Sequence, residues 1–425
     1  MRRIAIFLAA ALALTQALVI IACASKPKTP GETEETTPLN TTHPPAVYED
    51  SGGTLRANPE SAAFMLVEDM KAGWNLGNAL DCLDNQKRGI DSQLQTATAE
   101  VYYETLWGNP VTTPGIIAGV AEMGFGAVRV PVTWQDHMDE NYEISQTWLE
   151  RVGEVVNCVI DNGMYCIINL HHDTGTGAWP WLRAEPEKIG EYMKNLRTVW
   201  TQIAVCFQDY DERLLFESFN EILDTEDRWT GSTAACYDAV NQLNQTFVDT
   251  VRATGGCNDR RFLIVSPYAA GADSEILSYF RIPADTIEDH LIVSVHTYAP
   301  AGFTWHENMA GRINVYSGWD DDPSGYEIRE ALRSLRENIV DKGVPVIISE
   351  CGAWNKSNSP DRCAYAAFLV REAAKERITC FWWDAGGEFD TPESVDNSSL
   401  YDRYNEAWFF PEVARAFTQA ASARG

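Results

Sequence analysis

The chain has 425 residues, 45% of them apolar or aromatic, including 14 Trp, 16 Tyr and 16 Phe, which excludes wholesale disorder and leaves room for one large domain or two ordinary ones. Thirty-three basic residues stand against 61 acidic ones, a formal charge of −28, so the surface repels phosphate backbones and anionic headgroups and nucleic acid is not an expected partner. A neutral ligand meets no such barrier.

Arg2 and Arg3 open the chain and an apolar run from Ile4 to Ala22 follows, broken only by Thr15 and Gln16, which is the layout of a secretory signal. Ile20-Ile21-Ala22-Cys23 resembles a bacterial lipobox, with Ile21 departing from the small residue preferred there. Residues 1–22 are therefore expected to be a lipoprotein-type signal peptide and Cys23 the lipid attachment point. Ordinary secretion after cleavage near Ala22-Cys23-Ala24 and an uncleaved anchor helix are the alternatives. The expected location is outside the cytoplasm, at the bacterial surface or in the periplasm, with membrane contact only through the lipid. Residues 23–57 are rich in Thr, Pro and Glu and lack periodicity, as a disordered linker does. Of ten cysteines, setting Cys23 aside leaves nine, an odd number that argues against a complete disulfide framework; one or two bridges, such as Cys236 with Cys257, stay open.

From residue 58 to 425, β-rich runs alternate with amphipathic helical stretches. The predicted strands are Lys71 to Asn78, Ala127 to Val132, Tyr165 to His172, Leu214 to Glu221, Arg261 to Pro267, His290 to Tyr298, Val344 to Glu350 and Ile378 to Asp384. Helices are predicted over Thr113 to Met123, Trp148 to Asn162, Lys188 to Val205, Ala235 to Ala253, Tyr326 to Lys342, Asp361 to Glu376 and Tyr404 to Ala420. Most strands are apolar on both faces, as in buried parallel sheet. Eight strand-then-helix units, with no GxGxxG opening a helix, predict an α/β protein with a single catalytic domain, a (β/α)8 TIM barrel.

In such a barrel the reactive groups gather at the carboxyl ends of the strands. Five predicted strands end in polar clusters: Asn169-Leu170-His171-His172-Asp173, Asn220-Glu221, His296-Thr297-Tyr298, Ser349-Glu350 and Trp382-Trp383-Asp384. Capping explains one such terminus more simply than function does, but not five in register. Glu221 and Glu350 each close an apolar run, so both are expected at the mouth and at the same height. Two facing carboxyl groups can divide labour, one protonating a departing oxygen while the other attacks carbon, which is glycosidic cleavage with retention. Asn220 could donate to a sugar hydroxyl. His296 and Tyr298, two apart on one strand, would point the same way. Arg129 lies inside an apolar strand and needs a carboxylate, Glu350 first and Glu217 second. His171-His172-Asp173 could suggest a metal cluster, but strand neighbours face opposite ways, so only one imidazole, His171, is expected in the cavity. No GxSxG elbow points to a serine hydrolase. Trp residues cluster at strand ends and following loops, where indole faces can stack on sugar rings, Trp383 being the leading platform.

These motifs resemble glycoside hydrolase family 5, the large cellulase family. The resemblance rests on Gly-Trp-Asn-Leu-Gly-Asn at 73–78, Arg-Val-Pro-Val-Thr-Trp at 129–134, Asn-Leu-His-His at 169–172, Phe-Asn-Glu at 219–221, His-Thr-Tyr at 296–298, Ser-Glu at 349–350 and Trp-Trp-Asp at 382–384. With Asn109-Pro110-Val111-Thr112-Thr113, it is similar to a subgroup of bacterial endoglucanases that includes xyloglucan- and mixed-linkage-glucan-degrading members. The resemblance implies Glu221 as general acid/base and Glu350 as nucleophile. Arg129, His171, Asn220, His296, Tyr298 and Trp383 would be the supporting shell, with Asn75, His137, Asp384 and Trp179 near the sugar. The expected activity is a retaining endo-β-1,4-glucanase, acting as a monomer on a β-glucan polysaccharide without cofactor or metal. The alternatives are a β-mannanase on the same scaffold and a surface glycan-binding protein without catalysis, although the latter would be expected to lack one Glu and both are present.

Overall fold

The structure is a computed structural model that describes residues 61–84, 98–305 and 314–423. The expected signal peptide, Cys23 and the linker lie outside these residues. Among the described residues no helix is long and apolar enough to cross a membrane.

Eight parallel strands close into a barrel in chain order: β1 (Gly73–Leu76), β2 (Ala127–Val130), β3 (Tyr165–Asn169), β4 (Leu214–Glu217), β5 (Leu263–Val265), β6 (Leu291–His296), β7 (Val346–Cys351) and β8 (Thr379–Asp384), with β8 pairing back onto β1. All eight predicted strands are present. Several are shorter at the carboxyl end than expected: His171, His172, Glu221 and Tyr298 lie beyond the ladder, on the first residues of the mouth loops. The helices over residues 114–122, 146–161, 189–206, 234–253, 326–338 and 359–375 agree with the periodicity to within a few residues. The last predicted helix does not start at Tyr404. Tyr401–Asp402 and Ala407–Trp408 pair as a short antiparallel ribbon, and the helix begins only at Pro411. Pro411 disfavours helical backbone at Phe410 and suits the first helical turn, so it marks a start where apolar spacing alone predicted continuation.

Inside the barrel, side chains recur with period two and form layers. Ala127, Ile167, Leu215, Ile264, Ile292, Ile347 and Phe381 make an apolar floor, packed with Ala63, Leu66, Val67 and Met70 from the segment over residues 62–70. Gly73 completes the floor by absence, since a side chain there would collide with the Phe381 ring. Two residues further along, the layer turns polar: Asn75, Arg129, Asn169, Glu217, Ser294 and Ser349 are all buried. A second apolar core fills the space between barrel and helices. All nine described cysteines are free thiols, so the bridge considered between Cys236 and Cys257 is not formed.

Candidate active site

Arg129 organises the polar layer. Its guanidinium is fully buried, and Nε donates to Glu217 Oε2 at 2.7 Å, Nη1 to Glu350 Oε1 at 2.7 Å and to Asn75 Oδ1 at 3.1 Å, and Nη2 to Asn220 Oδ1 at 3.0 Å. Both carboxylates proposed as its partner are therefore used at once. A buried guanidinium is tolerable only when its fork of donors is matched this fully. Glu217 is equally enclosed, accepting further bonds from Asn169 Nδ2 at 2.9 Å and Ser294 Oγ at 2.6 Å. Burial works against the Arg129 charge, yet Glu217 and Glu350 raise its pKa overall.

Glu350 belongs to β7, where the register slips: Val295 of β6 pairs with Ile348, but His296 pairs with Glu350. This irregularity lets successive residues serve the interior, Ser349 Oγ meeting Ser294 Oγ at 2.6 Å while Glu350 reaches Arg129. Glu350 Oε2 also accepts from the Tyr298 hydroxyl at 3.1 Å. Burial pushes that phenol well above its usual range, so it remains a donor. Glu221 stands four residues past the end of β4 and is partly exposed; its Oε1 lies 2.7 Å from His296 Nδ1. Burial opposes the imidazolium of His296, but Glu350 and Glu221 more than offset it and its pKa is raised. Burial likewise pushes the Glu350 carboxyl up, against the pull of His296 and Arg129 and with the push of Glu221.

One ligating atom each from Glu221, His296 and Glu350 lie within 4.8 Å of one another, so the two carboxyl groups are close neighbours. Retaining glycosidases hold the pair ~5–5.5 Å apart, whereas inverting ones leave ~6.5–9.5 Å for a water. The nearest oxygens of the pair, within 4.8 Å of each other, fall on the short side of this divide. Their spacing is set by different routes, a register slip for Glu350 and a loop for Glu221, and not by matched strand ends.

His171 and His172 both turn toward Asp81, with Nε2 atoms 3.9 and 3.8 Å from Asp81 Oδ2. Only one was expected in the cavity; the alternation rule fails because β3 stops at Asn169 and both residues lie beyond it. The three side chains have the composition of a metal cluster. The hydrogen bonds oppose that use. Asn169 Oδ1 accepts from the Val132 amide, so its Nδ2 faces His171 Nδ1 as a donor at 3.2 Å, leaving Nε2 of His171 to carry the proton. A protonated ring nitrogen cannot ligate a cation, but it can donate to a sugar hydroxyl. At the Glu221–His296–Glu350 cluster the 2.7 Å bond between Glu221 and His296 leaves no space for an ion between them. Trp383 stacks on His171 almost in parallel, with ring centroids 5.7 Å apart, and Gly77 leaves space beside its indole.

Asn220 is fixed through its oxygen by Arg129, which leaves Nδ2 as the atom able to donate. Trp179 is 49% exposed on the loop after β3. His137 is buried, its ring stacked on Trp148 with centroids 3.6 Å apart, and its Nε2 has no hydrogen-bond partner among the described residues. Burial lowers its pKa to about 3. Asn75 and Asp384 were expected near the sugar, and the structure corrects both. Asn75 is fully buried, its oxygen taken by Arg129 and its nitrogen by the carbonyls of Ser349 and Trp382. Asp384 is fully buried and accepts from the amides of Gly386, Leu400 and Tyr401 and from Arg403. They brace the site from behind. Ser294 and Asp81 were not anticipated. A serine interrupting the apolar run Leu291-Ile292-Val293, two residues ahead of His296, was the available signal for Ser294; Asp81 carried none.

The family described as Cellulase (glycosyl hydrolase family 5) matches residues 88–389. Endoglucanase A of Ruminococcus albus is 36% identical over 366 residues, 85% of this chain and 93% of that protein. Cellulase/esterase CelE of Acetivibrio thermocellus is 37% identical over 86% of this chain, which spans only 41% of that longer protein. Among solved structures, a GH5-4 broad specificity endoglucanase from Ruminococcus champanellensis with bound cellotriose superposes with a TM-score of 0.75 at 36% identity, covering 85% of this chain and 99% of that one.

Proposed function

Given that this chain belongs to glycosyl hydrolase family 5, we propose that it is a retaining endo-β-1,4-glucanase acting on cellulose-like, mixed-linkage or xyloglucan chains. The observation that carries the mechanism is the close approach of Glu221 and Glu350. Glu350, held by Arg129 and Tyr298, attacks the anomeric carbon as Glu221 gives its proton to the departing oxygen. The product is a glycosyl ester on Glu350 and a free chain end. Ester formation removes the Glu350 charge, and Glu221, now a carboxylate hydrogen-bonded to His296, takes a proton from the water that releases the sugar. Asn220 and His171 are placed to donate to ring hydroxyls, and Trp383 to carry the sugar face. The breadth of substrate is supported by likeness to the broad specificity enzyme with bound cellotriose.

The test is a panel of carboxymethylcellulose, lichenan, xyloglucan and glucomannan with product sizing, run on wild type and Glu350→Ala. Glucan cleavage to mixed oligomers, abolished in the variant, is expected; activity confined to mannan, or unchanged turnover by Glu350→Ala, overturns the reading. We further propose export as a lipoprotein, supported by Arg2-Arg3, the apolar run to Ala22 and Cys23. Mass spectrometry of the mature N-terminus distinguishes a diacylglyceryl thiol at Cys23 from a free amine.

A further inference from the structure

Lys356, on the loop between β7 and the helix over residues 359–375, reaches into the loop that follows β6. Its Nζ donates to the carbonyls of Phe303, of Tyr316 at 2.8 Å and of Trp305 at 3.3 Å. Three acceptors of one loop thus converge on a group that has three donors. Neighbouring bonds join the same two loops: the Trp354 amide donates to the Thr304 carbonyl at 2.9 Å, and Asn358 Nδ2 to the Ser317 carbonyl at 2.8 Å. These are neutral, and a charged donor makes bonds roughly twice as strong, so the ammonium is the strong point of the clamp.

The clamped loop leads out from Tyr298. Thr304 Oγ1 donates to the Tyr298 carbonyl, with the Pro300 carbonyl also in reach at 3.2 Å, and the Trp305 ring packs on the Tyr298 ring with centroids 5.3 Å apart. Tyr298 is therefore held by its backbone and along its ring, while its hydroxyl donates to Glu350 Oε2 at 3.1 Å. That distance is at the long end for such a bond, so a displacement of a few tenths of an ångström at the ring is enough to weaken it. The charged groups that also face Glu350 are Arg129 from β2, His296 from β6 and Glu221 beyond β4. Their remaining bonds run among themselves and to Glu217, Asn75 and Asn220, away from this loop. Tyr298 is the point at which the loop meets the nucleophile.

We infer that Lys356 is a positioning residue for the reaction: by pinning the loop after β6 at Phe303, Trp305 and Tyr316, it fixes the Tyr298 hydroxyl against Glu350 and so keeps the nucleophile charged and aimed. Lys356 has no need to meet the sugar. This inference rests on the retaining reading above, in which Glu350 attacks.

The test follows kcat and KM for cellotetraose across pH. A hydrogen bond donated to a carboxylate favours its charged form, so losing it moves the acidic limb of kcat/KM to higher pH. Tyr298→Phe deletes the bond outright and is expected to show that shift with a lower plateau. Lys356→Met keeps the stem and removes the ammonium; it is expected to lower kcat about tenfold with little change in KM, and to shift the limb the same way. In the Tyr298→Phe background the same substitution should cost much less, because the bond it protects is already gone. Thr304→Val lies one step nearer Tyr298 and changes no charge. It is expected to show the shift in weaker form, which keeps the test decisive should Lys356→Met fail to fold. Lys375→Met removes an exposed lysine from the helix over residues 359–375 and serves as the control, leaving rate and limb unchanged. An acidic limb that stays in place in Lys356→Met and Thr304→Val, or losses that multiply in the double variant, overturn the positioning role. Should the wild type cleave mannan and no glucan, the glucanase reading fails, and the same comparison on mannan still decides the role of Lys356.

Discussion

Glu217 and Arg129 form an ion pair 2.7 Å long with both side chains wholly enclosed, linking β4 to β2 across the barrel axis side of β3. Through the same guanidinium Glu217 acts on Glu350, so it is a positioning residue with no need to meet the sugar. Glu217→Gln keeps the shape and removes the charge, leaving Arg129 with Glu350 as its one anionic partner. Breaking one half of a buried pair costs about 3–5 kcal/mol. The expected result is a lower denaturant midpoint together with a fall in kcat larger than any rise in KM. Unchanged unfolding and unchanged kcat would show that the pair supports neither stability nor the nucleophile.

The barrel was legible because its signal is redundant: eight apolar runs, each followed by a helical stretch, would have survived an error in any one. Arg129 was legible for a different reason, since a cation in the middle of Ala127-Val128-Arg129-Val130 demands a partner wherever the strand goes. What the sequence could not supply was which carboxylate, because that depends on strands 88 and 221 residues away meeting at one height. Asn75 and Asp384 were misjudged as sugar contacts because a motif names a residue type at a strand end without saying which way its polar atoms are already spent. His172 was misjudged because alternation holds only within the ladder, and β3 ends three residues earlier.

His296 links protonation to stability. Its folded pKa is raised above the ordinary 6.5, burial being outweighed by the Glu350 and Glu221 carboxylates. A raised value means that the charged form is bound more tightly in the folded state. That stabilisation is complete below the unfolded pKa and is lost as pH rises through the folded one. The stability advantage of wild type over His296→Gln should therefore be largest near the acidic end of a series from about pH 5.5 to 8.5 and shrink toward the alkaline end. Denaturant midpoints of the two proteins at each pH measure it; an advantage that grows with pH would contradict the raised value.

Asp384 offers a direct test of bracing against sugar contact. Its carboxylate is the buried counter-ion of Arg403, at 3.2 Å, and also anchors the Leu400 and Tyr401 amides. Asp384→Ala strands a buried guanidinium and should cost about 3–5 kcal/mol. In the fraction that folds at low temperature, KM for cellotetraose should stay near that of wild type. A large rise in KM without a loss of stability would restore the role implied by the resemblance.

The last expectation concerns metal. Asp81, His171 and His172 look like a ligand set, and burial keeps both imidazoles neutral, lowering His172 to about 4 and His171 well below its usual value. Neutrality alone would favour a cation. The tautomer decides against it, because Asn169, itself fixed by the Val132 amide, donates to His171 Nδ1 and assigns the proton to Nε2, the atom facing Asp81. Moving that proton to Nδ1 would set two donors against each other in a buried site, at about 1–3 kcal/mol. Exhaustive chelation should leave glucan hydrolysis and the unfolding midpoint unchanged. Asn169→Ala removes the donor without setting a new carboxylate against Glu217, which permits Nδ1 protonation and frees Nε2. This variant is expected to bind zinc more tightly than wild type, as titration calorimetry would measure. A loss of activity on chelation of the wild-type protein, or equal zinc affinity in the two proteins, would show that the Asn169–His171 bond does not set the tautomer.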